Sequence, residues 1–97
     1  MTEVVIKEVA KRFLRTEQEI VTEGVRAFLC DHLRVLEAER QHLLAKYAVS
    51  SVEELDAHVA AHPECESDFL PDLQRADYLV AQISDVTQWV ETLNNGD

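Results

Sequence analysis

The sequence predicts an all-α protein in which two long helices fold into an antiparallel hairpin through a short connecting helix. Three observations carry that expectation. The 97 residues include only two Gly and two Pro, whereas sheets and tight turns consume both. Apolar residues recur at steps of three and four along most of the chain, which is the spacing of one helix face. At two expected helix starts a Ser or Thr, Thr16 and Ser51, is followed three residues later by Glu, the mark of a capped helix start.

The first helix is expected over about 3–14. Ile6, Val9, Ala10 and Phe13 stand at i, i+3, i+4 and i+7, so they form one apolar face. Thr16 and Glu19 then fit a capping box that would start a second helix, although nothing in 14–18 forbids the chain from running straight through. Gly24 costs about 1 kcal/mol in a helix interior without ending it. From Leu29 the pattern strengthens. Leu29, Leu33, Leu36, Arg40, Leu43 and Tyr47 alternate steps of four and three, a coiled-coil heptad seam with one charged interruption. Val21, Val25 and Phe28 lead into it. This helix is expected over 17–47, about 46 Å at 1.5 Å per residue.

Ser51 and Glu54 cap a short connecting helix over 52–62, with Val52, Leu55 and Val59 as its apolar face. Pro63 ends it by disfavouring a helical conformation at His62. A polar connection over 63–68 follows. The last helix is expected over 70–94, with Pro71 in its first turn, where proline is tolerated. Its stripe reads Leu73, Ala76, Val80, Ile83, Thr87, Val90. Asn94, Asn95 and Gly96 end it, since Gly readily takes the left-handed conformation past a helix terminus.

A single helical domain of this length buries only about 60–65% of its unfolded surface. Two helices also enclose little volume, so such hairpins often pair into a four-helix bundle. A homodimer is therefore expected.

Charge is divided along the chain. Residues 1–48 hold eight Lys or Arg and eight Asp or Glu, while residues 49–97 hold one base, Arg75, against eleven acids. The whole net charge of -10 thus belongs to the C-terminal half. One reading is solubility in concentrated salt, which the low count of three Lys favours. The other is an acidic surface for a basic protein partner, which the uneven placement favours. Either way the acidic half should repel nucleic-acid phosphates. No apolar run approaches the ~18–20 residues that span a bilayer. The N-terminal residues MTEVVIKEVAKRF lack signal-peptide organisation, so a cytoplasmic protein is expected. Cys30 and Cys65 form no CxxC pair, and free thiols are the ordinary state there.

The stretch KYAVSSVEELDAHV, Lys46 to Val59, resembles a motif of small uncharacterised archaeal and bacterial helical proteins. In them a long helix ends in Lys-Tyr, a short turn follows, and Ser-x-Glu-Glu and an apolar residue come next. An acidic linker, here HPECESDF, and a second long helix with an aromatic near its start complete the pattern; here that helix would contain Asp77 and Tyr78. The resemblance covers roughly residues 28–93. It implies a helical protein without established catalytic residues, antitoxin-like in some relatives. Acidity and few Lys make the chain similar to a haloarchaeal member. The family pattern commonly has Gly after the Tyr, where this chain has Ala48.

Few residues suggest chemistry. His58 and His62 are i, i+4 on the connecting helix, and Cys65 follows. Zinc uses such nitrogen and sulfur ligands, with Glu64 or Asp68 as an oxygen source. The segment HVAAH lacks the Glu of HExxH, which excludes that metalloprotease motif. The plainer reading is a solvated face with two surface histidines, so no metal or cofactor is expected. Cys30 and His32 point to different helix faces and form no dyad, and His42 is a surface or seam-edge residue. Phosphate-cradling Gly loops are absent. Lys7, Lys11, Arg12 and Arg15 form the one basic cluster. It could serve a DNA-contacting dimer arm, but Glu3 and Glu8 balance it. Trp89 flanks the last seam, and its exposure bears on an interface role. The expectation is a non-enzymatic interaction protein.

Overall fold

The computed structural model describes residues 1–96. Four α-helices follow one another: α1 (Thr2–Arg12), α2 (Glu17–Lys46), α3 (Val52–Ala60) and α4 (Glu66–Asn94), with a 3-10 turn at Pro63–Cys65 before α4. No strand occurs among the described residues. The helices α2 and α4 pack against each other as the arms of a hairpin, and α3 closes one end. The result is a rod of 62 × 27 × 17 Å.

The chain does break before α2. Thr16 Oγ1 accepts the Glu19 N–H at 2.9 Å and Glu19 accepts the Thr16 N–H at 2.8 Å, so both halves of the capping box form. From Glu17 the helix runs unbroken through Gly24. The first helix stops at Arg12 rather than continuing to residue 14. Leu14 takes a left-handed φ of 55°, and the Arg15 N–H returns to the Ala10 carbonyl at 2.8 Å while the Leu14 N–H reaches Lys11. That pairing is a Schellman ending. The same motif ends α2: Ala48 has φ 56°, Val49 N–H bonds Leu44 O at 3.1 Å and Ala48 N–H bonds Ala45 O at 3.0 Å.

The α2 seam packs as its spacing predicts from Leu29 to Tyr47, but Val21, Val25 and Phe28, expected to lead into it, are exposed and lie on a neighbouring line of the helix. Leu36 and Leu43 are buried, and Leu29, Leu33 and Tyr47 pack on the core. The charged interruption, Arg40, is half-buried and lies along a shallow groove with Ser50, Ser51, Val52 and Val80. The α4 stripe needs correction. Val80 is exposed, while Leu79 and Val86 are fully buried with Ala76. Steps of three and four from Ala76 lead equally well to 79 or 80, and only the position of α2 selects between them.

Two boundaries also shift. The connecting helix ends at Ala60 rather than 62, because Pro63 forces His62 out of helical conformation (φ -130°, ψ 61°). The last helix begins at Glu66, four residues before expectation, and Pro71 lies inside it. Proline removes one N–H and crowds the carbonyl four residues back. Here that carbonyl belongs to Ser67, and both residues are exposed, so water can satisfy it. The early start places Phe69 against the core.

Candidate interaction surface

Eight of the eleven acids in residues 49–97 fall between Glu53 and Asp77. The fold gathers them at the closed end of the hairpin, on α3, the 3-10 turn and the first turns of α4. Seven of the eight are exposed, and only Asp72 is half-buried. Four have local roles: Glu53 and Glu54 stand in the first turn of α3, and Glu66 and Asp68 in that of α4. There a carboxylate favours the helix dipole. The predicted cap of α3 forms with one change. Ser51 accepts the Glu54 N–H at 3.1 Å, but the Glu54 carboxylate reaches back to the Ser50 N–H at 2.7 Å rather than to Ser51.

Two of the cations near this end are engaged, while Arg40, which shares the shallow groove with Glu53, enters none of the ion pairs among the described residues. Lys46 Nζ donates to Asp72 Oδ2 at 2.7 Å, and the Tyr47 hydroxyl donates to the same oxygen. Arg75 grips Glu39 through two nitrogens, one at 2.8 Å. Lys46, then Tyr47, hold the Asp72 carboxyl below its ordinary range. The hydrogen bond to Asp72, followed by burial, pushes the Tyr47 phenol up, and Arg75 lowers Glu39. Among the described residues, Glu53, Asp56, Glu64, Glu66, Asp68 and Asp77 have no cation within ion-pair distance. The surface is therefore a cluster of exposed, unpaired carboxylates over a packed base.

That base is aromatic. The rings of Tyr47 and Phe69 meet edge-on at 5.5 Å, and His58 lies 6.0 Å from Tyr47 and 5.6 Å from Phe69. The Lys-Tyr ending of α2 thus ties it to α4 by one charge pair, one phenol hydrogen bond and one ring contact. Asp72 and Phe69 supply the partners, and neither stands out in the sequence. A polar–apolar pair at i, i+3 on a helix is too common to signal a contact some 25 residues away.

The metal candidates separate. His58 and His62 do lie together, with ring centroids 4.8 Å apart. His62 Nδ1 is 2.9 Å from the His58 carbonyl oxygen. Cys65 does not join them: among the described residues no three His, Cys, Asp or Glu groups converge where a metal could sit. His58 serves packing instead. Cys30 and Cys65 are unbonded and half-buried. His32 stacks on Phe28 at 6.0 Å, and His42 is exposed. In the basic cluster, Arg15 is withdrawn to Glu23 at 2.6 Å and Glu19 at 3.7 Å. Lys7, Lys11 and Arg12 remain exposed on α1. Trp89 is half-exposed, and Tyr78 lies outside the core beneath Arg75 at 4.8 Å.

Fold and surface define a small all-α hairpin protein with one acidic end, in which every charged side chain of the described residues stays at the surface or half-exposed. The chain belongs to the Uncharacterized protein MJ0235 family, whose model matches residues 1–97 and whose name derives from an archaeal gene. No curated protein and no solved structure matches it. No helix among the described residues is long and apolar enough to cross a membrane.

Proposed function

We propose that this chain is a non-enzymatic interaction protein that presents its acidic closed end to a basic protein partner. The observation that carries the proposal is the polarity of charge along the rod. Eight of the eleven acids of residues 49–97 collect at one end, and two of the cations beside them are tied to Asp72 and Glu39. A surface serving only solubility in concentrated salt would leave both arms net negative, whereas the eight acids of residues 1–48 are matched by eight Lys or Arg and only residues 49–97 carry net charge. Catalysis by acids and bases favours a titratable group desolvated in a cleft, and no buried polar or charged residue occurs among those described. The specific version is antitoxin-like: the acidic end masks the basic surface of a small toxin.

The test is capture of a partner from the native host by the full chain, compared with a variant carrying Glu64→Gln, Glu66→Gln and Asp68→Asn. A basic protein should be retained at low salt and released as salt screens the attraction. The variant, unchanged in helix content by circular dichroism, should retain much less. Equal retention by both chains would overturn the reading, as would a partner that is itself acidic. If both chains lose helix together as salt is lowered, the acids serve folding in high salt instead.

A further inference from the structure

We infer that a second copy of this chain docks on a stripe of α2 that flanks the α4 seam, about 100° round the helix from it, with the two α2 helices antiparallel and crossing near Phe28. This inference does not rest on the role given to the acidic end. Val21, Val25, Phe28 and Val35 follow one another at steps of four, three and seven, and all four are exposed, Phe28 at 67%. His32, stacked on Phe28, fills the missing position. The five form a second heptad line on the same helix, beside the one that α4 covers. Such a line is what a partner helix occupies in a coiled coil.

Area sets the size of what is missing. The chain exposes 7145 Å², about 1,500 Å² more than the roughly 5,650 Å² of a compact monomer of its 11.1 kDa mass. Its radius of gyration is 19.5 Å, against about 12–13 Å for a compact chain of this length. A standard interface removes about 800 Å² from each partner, so one docked copy fits within that excess. The elbow before α2 adds to the case. Phe13 and Leu14 are exposed there, Leu14 at 91% and in the left-handed region. The 11-residue α1 buries only Ala10, although isolated helices shorter than about 12–15 residues are marginal in water.

Charge selects both the occupant and its direction. The stripe lies within residues 1–48, whose charges cancel, so two copies can approach there. A parallel arrangement would bring the two acidic ends together. An antiparallel one sends them to opposite extremes of the assembly and pairs Val21 with Val35 of the second copy.

Sedimentation equilibrium of the full chain at tens of micromolar tests this. The expected mass is twice that of the chain, and it should persist when salt is raised, since salt only screens the repulsion between acidic ends. The double variant Val25→Glu, Phe28→Glu should sediment as a monomer while keeping its helical circular dichroism, because both side chains are already exposed. Leu70→Glu, an equally drastic change at the acidic end, should stay dimeric. In a Cys30→Ser, Cys65→Ser background, Val21→Cys together with Val35→Cys should form disulfide dimers on oxidation, and Val21→Cys alone should not. A monomeric wild type overturns the inference, as does a double variant that remains dimeric. Efficient cross-linking of Val21→Cys to itself overturns the antiparallel arrangement.

Discussion

The two ends of the rod are built on opposite terms. At the closed end, α3 and the start of α4 bury Leu55 and Val59, join Tyr47 to Phe69, and link Lys46 and Tyr47 to Asp72. Charge accumulates there on a base that is already packed. At the elbow end, α1 buries one alanine, Leu14 stands in solvent, and the local charges cancel into pairs such as Arg15–Glu23. Like charges at the closed end oppose its approach to another copy of itself, and that end holds together through its own packing. The elbow end, neutral and poorly covered, borders the stripe on which a second copy is proposed to dock.

The largest expected effect lies in the packed core between the two ends. Leu79→Ala, at a side chain with no exposed surface, should cost about 3 kcal/mol, read as a lower urea midpoint with the slope unchanged. The equivalent change at exposed Val4 of α1 should cost almost nothing in the isolated chain. A large loss there would mean that α1 is better packed than its exposure indicates, and would erase the contrast between the ends.

The Asp72 junction comes next. Tyr47→Phe should lose about 1 kcal/mol, the usual net worth of one hydrogen bond. Titration should show the same junction from both sides. Asp72 is depressed by Lys46 and then Tyr47, so its contribution is full above the ordinary carboxylate range and disappears as pH falls through the lowered value. Tyr47 is raised, chiefly by Asp72, so its contribution is full below the ordinary phenol value and disappears as pH rises through the raised one. Asp72→Asn should therefore flatten the acid limb of the stability curve. An unchanged acid limb would show that the junction does not hold the closed end.

The smallest effect compares the two left-handed residues. Ala48→Gly should stabilise by about 0.5–1 kcal/mol, because a Cβ is costly in that region. Leu14→Gly should relieve the same backbone penalty. If Leu14 serves only the turn, the two gains will match. If it is covered in the dimer, Leu14→Gly will relieve strain in the monomeric Val25→Glu, Phe28→Glu variant but weaken association of the wild-type assembly.

Much of the fold was legible in the sequence because helix chemistry is local. The boxes at Thr16–Glu19 and Ser51–Glu54, the stop at Pro63 and the α2 seam from Leu29 to Tyr47 depend on neighbours within one or two turns. What was misread depended on distant partners. Val80 and Leu79 fit the period of α4 equally well until α2 takes its place. Pro71 reads as a first-turn residue until burial of Phe69 draws the helix back to Glu66.

By itself, the sequence determined that this chain is helical and that its acid lies in one half, since propensity, capping and charge belong to residues and their near neighbours. Only the tertiary structure decided where that acid stands in space, that Asp72 receives both Lys46 and Tyr47, and which second face of α2 is left uncovered. Those are relations between helices far apart in the chain, and their energies exist only once the helices have packed.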